Sequence, residues 1–175
     1  LFRKLLADVL DDILGRVPKD KIDHRITRFK KNMKYNQLDD ISSPTGVKGI
    51  WKYMEKKDNE NSSVFSTFKK GTPVHVKAAI AYNDLVRYFK QDNKYQFINN
   101  GDKIRWVYLK NNTLGLNAVA YKGHEDPPEI MEFINKNIDH DKIYGQSLTK
   151  KLQMFYDCLD WGKPVDEEQS IERFF

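Results

Sequence analysis

Apolar residues recur at helical spacing in the N-terminal part of the chain. From Phe2 to Leu14 they repeat at three- and four-residue intervals, and Gly15 follows the last of them. Because this spacing places apolar side chains on one helix face, residues 2–14 are predicted to form an amphipathic helix. Pro18 is a favourable first residue for a second helix. The apolar stripe of that helix consists of Ile22, Ile26, Phe29 and Met33.

Turn-forming residues dominate the segment after the second helix. Residues 39–46 are rich in Asp, Ser, Pro and Gly, which predicts a turn, and a short helix is expected at 47–57 around Trp51 and Met54. Pro73 then favours the start of a longer helix at about 73–90. The residues predicted to be buried by that helix are Val76, Ile80, Leu85 and Phe89.

Three short runs of strand-favouring residues predict a small antiparallel sheet. These runs are Tyr95–Ile98, Ile104–Leu109 and Leu116–Tyr121. An Asn-Gly pair in the turn at 99–102 is typical of a hairpin between the first two.

Two closing helices complete the predicted fold. One begins at Pro127-Pro128 and runs to about residue 138, and the other spans about 140–160. The second is expected to bury Leu148, Leu152, Phe155 and Leu159. The predicted fold class is α+β, mainly helical, with a small antiparallel sheet inserted in the middle.

A single domain is predicted at 1–163. It has a basic helical half at 1–90 and a β-tip with closing helices at 91–163, and a tail follows at 164–175. Because the helical pattern has already begun at Leu1, which is not Met, the chain is expected to be a piece of a longer polypeptide.

Positive charge is concentrated in the first half of the chain. The 175 residues contain 30 Lys and Arg and 25 Asp and Glu, but the first 90 contain 19 and 11 of these. Two windows in that half, 25–38 and 61–83, contain no acidic residue. Cationic side chains without competing carboxylates favour phosphate binding, whereas the simpler alternative is a solvated basic helix face.

The tail carries a short motif with two terminal aromatic residues. In a single helical turn Ile171, Phe174 and Phe175 would project from one side, with Gln169 beside them. This is the pattern of a peptide that binds a sliding clamp, in which the apolar residues fill a pocket and the glutamine contacts its rim. The alternative is a C-terminal helix that folds back onto its own core.

Cysteine and histidine usage indicates neither a disulfide nor a metal site. The single Cys158 lies among Phe155, Tyr156 and Leu159 and is predicted to be a buried apolar residue. One cysteine allows no internal disulfide and favours a reducing cytoplasm. The four histidines lack the spacing of metal ligands, and no apolar run is long enough to span a bilayer.

The segment 69–83 carries a distinctive order of residues. It begins with Lys69-Lys70-Gly71-Thr72-Pro73, continues through His75 and ends in the pair Tyr82-Asn83. This segment resembles a stretch in the thumb of family B DNA polymerases from tailed phages. The preceding basic helix, the strand that begins at Gly101-Asp102-Lys103-Ile104 and the clamp-binding tail are also similar to that family. The resemblance covers essentially the whole chain, through sequence at 69–83 and 169–175 and through order and spacing elsewhere.

The resemblance implies a thumb domain that holds the primer–template duplex by its backbone and a tail that attaches the polymerase to its clamp. Clamp contacts would come from Gln169, Ile171, Phe174 and Phe175. Duplex contacts would come from the second helix and from the segment that begins at Lys69. These duplex-binding residues would be Arg28, Lys30, Lys31, Lys34, Lys69, Lys70, Thr72, His75 and Lys77.

The catalytic signatures of the polymerase palm and exonuclease are missing from this sequence, so the chain alone is expected to be inactive. Mg²⁺ is expected in the palm rather than here, and neighbouring acids such as Asp39-Asp40 are better explained as turn and cap residues. One alternative is a free-standing accessory protein that binds the clamp and DNA. Another is a nuclease with scattered carboxylates, which cleavage of labelled DNA with Mg²⁺ or Mn²⁺ would reveal.

Overall fold

A computed structural model describes residues 1–54 and 65–164 of the chain. Its helices and strands form an α+β fold with one three-stranded antiparallel sheet, as the sequence predicts. In chain order the elements are α1 (Phe2–Leu14), α2 (Lys19–Met33), α3 (Leu38–Ile41), β1 (Ser43–Gly46), α4 (Ile50–Tyr53), α5 (Val74–Tyr88), β2 (Lys103–Tyr108), β3 (Ala118–Tyr121), α6 (Pro128–Asn137), α7 (His140–Tyr144), a π-helical turn (Gly145–Thr149) and α8 (Lys150–Cys158).

The chain forms two compact units. The first combines residues 1–41 with the chain from His140 onwards, and the second is residues 42–139. This division differs from the predicted halves at 1–90 and 91–163, because α5 packs on β3 and therefore belongs with the sheet. No described helix is both long and apolar enough to cross a membrane.

The first unit is a helical assembly in which α1 packs against α2, the π-helical turn and α8. Ile22, Ile26 and Met33 are buried, which confirms most of the predicted stripe of α2. Phe29 is half-buried and meets Phe2 edge-to-face, with ring centroids 6.1 Å apart. Burial of this shared apolar face stabilises both helices.

A polar link joins α8 to α2 inside the first unit. The hydroxyl of the fully buried Tyr156 donates a hydrogen bond to the Asp23 carboxylate. Lys19 Nζ lies 2.6 Å from the second oxygen of the same carboxylate. Asp23 is thereby neutralised and hydrogen-bonded, as a largely buried charge requires.

Tyr156→Phe is expected to lower the free energy of unfolding by about 1–2 kcal/mol near neutral pH. Burial, followed by the hydrogen bond to Asp23, raises the pKa of the Tyr156 hydroxyl above its ordinary value of 10.0. The unfolded chain therefore loses this proton first as the pH rises, and the stabilisation is complete below pH 10 and declines above it. Denaturant unfolding from pH 7 to 11 should show the difference between the two proteins shrinking above pH 10.

Tyr35→Phe is the matched control for that experiment, because Tyr35 lies in the same unit with 78% of its surface exposed. Its stability should equal that of the unchanged chain across the pH range. A stability difference for Tyr156→Phe that stays constant with pH would contradict the proposed linkage.

The closing helices follow the prediction in extent but not in every buried position. α7, the π-helical turn and α8 form one helical run from His140 to Cys158, and they bury Leu148, Leu152 and Tyr156. Phe155 is only half-buried and Leu159 is exposed, so the apolar stripe ends on Tyr156. Cys158 is exposed, and its predicted burial is wrong, because it lies two residues beyond Tyr156 on another side of the helix.

The sheet of the second unit has the order β1-β2-β3, and both strand pairs are antiparallel. Its β1 strand lies where the sequence predicted only a turn, with Thr45 opposite Ile104 of β2. Pro44 is compatible with this strand because β1 is at the edge of the sheet, where a missing N–H can face away from the ladder.

The predicted strand at Tyr95–Ile98 is wrong, because residues 95–98 pair with no strand in the described part of the chain. The turn at 99–102 instead joins a loop to β2. The Asp102 carboxylate accepts the N–H of Asn99, and Gly101 has a φ of +99°, which favours glycine. This turn also bonds to the residue that follows β1, because the Gly101 N–H donates to the Val47 carbonyl.

Helix α5 forms the centre of the second unit. Val76 and every residue from Ala78 to Val86 are buried, including the predicted core positions Ile80 and Leu85. The buried Asn83 side chain accepts the N–H of Ile98 and donates to its carbonyl. The amide oxygen and nitrogen of Asn83 and the N–H and carbonyl of Ile98 are therefore all hydrogen-bonded, and Asn83 fixes the loop before β2 against α5.

Candidate nucleic-acid interface

The most exposed cations of the 61–83 window lie in a tight loop, residues 69–72, which we call the lysine loop. Lys69 and Lys70 are both exposed. The Lys69 carbonyl accepts the backbone N–H of Thr72 at 3.2 Å and its hydroxyl at 2.6 Å. Gly71 has a φ of +83° and provides the left-handed residue of the turn. The two ammonium groups thus extend from a defined loop rather than from a flexible linker.

The lysine loop leads directly into the N-terminus of α5. No side chain of the described residues caps this end, and the first turn contains no acidic residue. The first intrahelical bonds begin with the N–H groups of Val76 and Lys77, so those of Val74 and His75 have no hydrogen-bond acceptor among the described residues. The positive end of the helix dipole and two free N–H groups therefore follow two exposed lysines, an arrangement that suits phosphate.

The remaining predicted DNA-binding residues of this segment differ in their exposure to solvent. Thr72 is only 6% exposed and its hydroxyl donates to the Lys69 carbonyl, so it closes the lysine loop, and its contact with DNA stays a prediction. His75 is half-buried. Lys77 is also half-buried, with Nζ 5.8 Å from the centre of the Phe68 ring.

Two residues that the sequence analysis did not select hold the segment before the lysine loop. The Asp84 carboxylate on α5 is 3% exposed and accepts the backbone N–H of Ser66 at 2.7 Å and its hydroxyl at 3.0 Å. Just beyond, the N–H of Lys69 donates to the Tyr53 carbonyl. Asp84 is the single acidic residue of α5 and lies between apolar positions, which was the available signal, because a buried carboxylate requires partners.

The predicted basic helix is α2 of the first unit. Arg28, Lys31 and Lys34 are exposed and follow one another at three-residue spacing, so they lie along one side of the helix end. Among the described residues no acid pairs with Arg28. Lys30 instead is half-buried, with Nζ 5.5 Å from the centre of the Tyr144 ring.

Arg25, a cation of the 25–38 window, is neutralised by acidic residues that lie outside that window. Arg25 Nε lies 2.7 Å from the Asp12 carboxylate, and Arg25 Nη1 lies 4.0 Å from that of Asp8. Both acids belong to α1, so the absence of acids within the window did not reveal this pairing. Within this window the exposed cations that remain are Arg28, Lys31 and Lys34 at the C-terminal end of α2.

These cations and N–H groups can bind phosphates at the surface of each unit. Within residues 1–54 and 65–164, no group of three or more His, Cys, Asp and Glu side chains is arranged to hold a metal ion. The predicted clamp-binding residues Gln169, Ile171, Phe174 and Phe175 lie outside the described residues.

Comparisons with known proteins do not identify a family for this chain. No family model matches it, and no curated protein matches it significantly.

Proposed function

We propose that this chain is the C-terminal thumb portion of a DNA-directed DNA polymerase. It would bind the primer–template duplex through the phosphate backbone and attach the polymerase to its sliding clamp. The observation that supports this proposal best is the exposed lysine loop that leads into the uncapped N-terminus of α5. Arg28 and Lys31 on α2, with Lys34 directly after its C-terminal end, supply a second set of exposed cations.

Backbone binding follows from the chemistry of the exposed groups. Ammonium, guanidinium and main-chain N–H groups all donate to phosphate oxygens, and such contacts position a protein on DNA without reading bases. A thumb that moves along newly made duplex needs this indifference to sequence. Nucleotide transfer, with its Mg²⁺ ions, would be performed by the palm and fingers of the polymerase rather than by the described residues.

The tail would act as a tether. Attachment to the clamp raises the local concentration of polymerase at the primer end, so a modest contact at Gln169, Ile171, Phe174 and Phe175 would prolong synthesis. The single cysteine of the chain is consistent with a reducing cytoplasm, which is where we place the complex.

Duplex affinity is expected to fall steeply with salt. Four to six phosphate contacts correspond to a slope of about −3 to −6 in a plot of log affinity against log salt, because each contact releases condensed counterions. Fluorescence anisotropy with a labelled duplex at constant pH, over a range of about 50 to 300 mM NaCl, measures this slope. A flat salt response would contradict backbone binding, and a preference for one sequence over its scrambled version would contradict the proposed indifference.

A further inference from the structure

A cleft of about 460 Å³ opens on the second unit, apart from the lysine loop. It lies between the loop that follows α5 and the loop between β3 and α6. The cleft is lined by Lys94, Tyr95, Gln96, Lys122, His124 and Glu125. Its volume is within the range of small-molecule sites, about 300–1,000 Å³.

The wall between β3 and α6 is held by a carboxylate. One oxygen of Asp126 accepts the backbone N–H of Lys122, and the other accepts that of Gly123, both at 2.8 Å. Asp126 thereby closes the loop on itself, and its charge is occupied by main-chain donors. The loop then presents Lys122 and His124 to the cleft.

The opposite wall is held by three side chains. Asn83 fixes the end of this loop at Ile98, and Gln91 donates from Nε2 to the Glu129 carboxylate of α6 at 2.8 Å. Lys122 Nζ donates across the cleft to the Gln96 carbonyl at 2.7 Å. Because both walls are fixed before any ligand arrives, binding would cost little ordering of the chain.

The lining is cationic with an aromatic surface. The lining contains the two lysines Lys94 and Lys122 and the single acid Glu125, and Lys94 Nζ lies 5.1 Å from the centre of the Tyr95 ring.

We propose that this cleft binds a nucleotide through its phosphate, either a free mononucleotide or the phosphorylated end of a DNA strand. Lys94 and Lys122 would donate to the phosphate oxygens, and the Tyr95 ring would contact the base or sugar. The volume exceeds that needed by phosphate alone and suits one nucleotide. This inference does not depend on duplex binding, because no lining residue belongs to the lysine loop or to α2.

The test is titration of the 175-residue chain with dAMP, inorganic phosphate and deoxyadenosine, monitored by amide chemical shifts. We expect dAMP to shift the amides of Tyr95, Lys122 and His124, with weaker binding of phosphate and none of deoxyadenosine. A 5′-phosphorylated oligonucleotide that competes with dAMP identifies the strand end as the ligand, whereas absence of competition identifies the free nucleotide. Either result supports phosphate recognition in the cleft.

Lys94→Met with Lys122→Met should weaken dAMP binding about tenfold or more, because two charge-assisted hydrogen bonds are removed. Lys110→Met with Lys136→Met is the matched control, since both lysines are exposed in the same unit and neither lines the cleft. Lys94→Met alone replaces the double variant if removal of the Lys122 bond disturbs folding. Absence of dAMP binding, equal weakening in the control, or equal binding of deoxyadenosine would overturn the proposal.

Discussion

Replacing Lys69 and Lys70 together with alanine is expected to weaken duplex binding about 60-fold at 0.1 M salt, because each lysine would no longer neutralise a phosphate. The same double change should make the salt slope shallower by about 2, because two fewer counterions are released. The structural reason is that both side chains extend from a loop whose backbone is fixed by Thr72 and, through Ser66, by Asp84. Anisotropy titrations at several salt concentrations measure affinity and slope together.

Lys150→Ala with Lys151→Ala is the matched control for this experiment. These lysines are also adjacent and exposed, so the variant changes the net charge by the same amount at a site outside the candidate interface. Its affinity and slope should stay close to those of the unchanged chain. Equal weakening in the two double variants would mean that net charge alone governs binding, and selective weakening for one DNA sequence would exclude a backbone contact.

Replacing Phe174 and Phe175 with alanine is expected to reduce clamp binding at least about 100-fold, because buried aromatic anchors dominate the energy of such interfaces. Duplex binding should be unchanged, since both residues belong to the tail rather than to the basic surfaces. Surface plasmon resonance with immobilised clamp measures the first quantity, and duplex anisotropy measures the second.

Tyr35→Ala with Trp51→Ala controls for removal of exposed aromatic surface in general. These side chains are 78% and 70% exposed, and their removal should leave clamp binding intact. If the Phe174 and Phe175 variant unfolds at a lower temperature, or if its clamp binding and duplex binding weaken equally, the two rings belong to the core of the domain. That outcome would exclude the clamp-binding tail.

Helical segments were predicted well from sequence because their apolar periodicity is local information. Helix α2 and helix α5 begin close to Pro18 and Pro73, and most of the apolar positions predicted for them are buried, with Phe29 and Phe89 half-buried. Strand β1 was missed because the residues of Ser43–Gly46 favour turns, and only pairing with the distant β2 makes them a strand. The false strand at 95–98 arose from local propensity without a pairing partner.

The candidate site was predicted only in part, because some of its contacts join residues that are distant in sequence. Exposure of Lys69 and Lys70 follows from a basic loop before a helix, which sequence shows directly. The neutralisation of Arg25 by Asp12 and the anchoring of Ser66 by Asp84 depend on residues brought together by folding. The cleft at Lys94 and Lys122 was likewise invisible, because its two walls are separated by the strands β2 and β3 in sequence.

The discontinuous composition of the first unit has a consequence for synthesis on the ribosome. Helices α1 and α2 emerge first, but α7 and α8, which complete their apolar surroundings, follow only after residues 42–139. At translation rates of about 5–20 residues per second, this interval lasts roughly 5–20 s. During it Leu5, Val9 and Asp23, the partner of Tyr156, lack their final surroundings, so the nascent N-terminal helices expose apolar surface until the closing helices have been made.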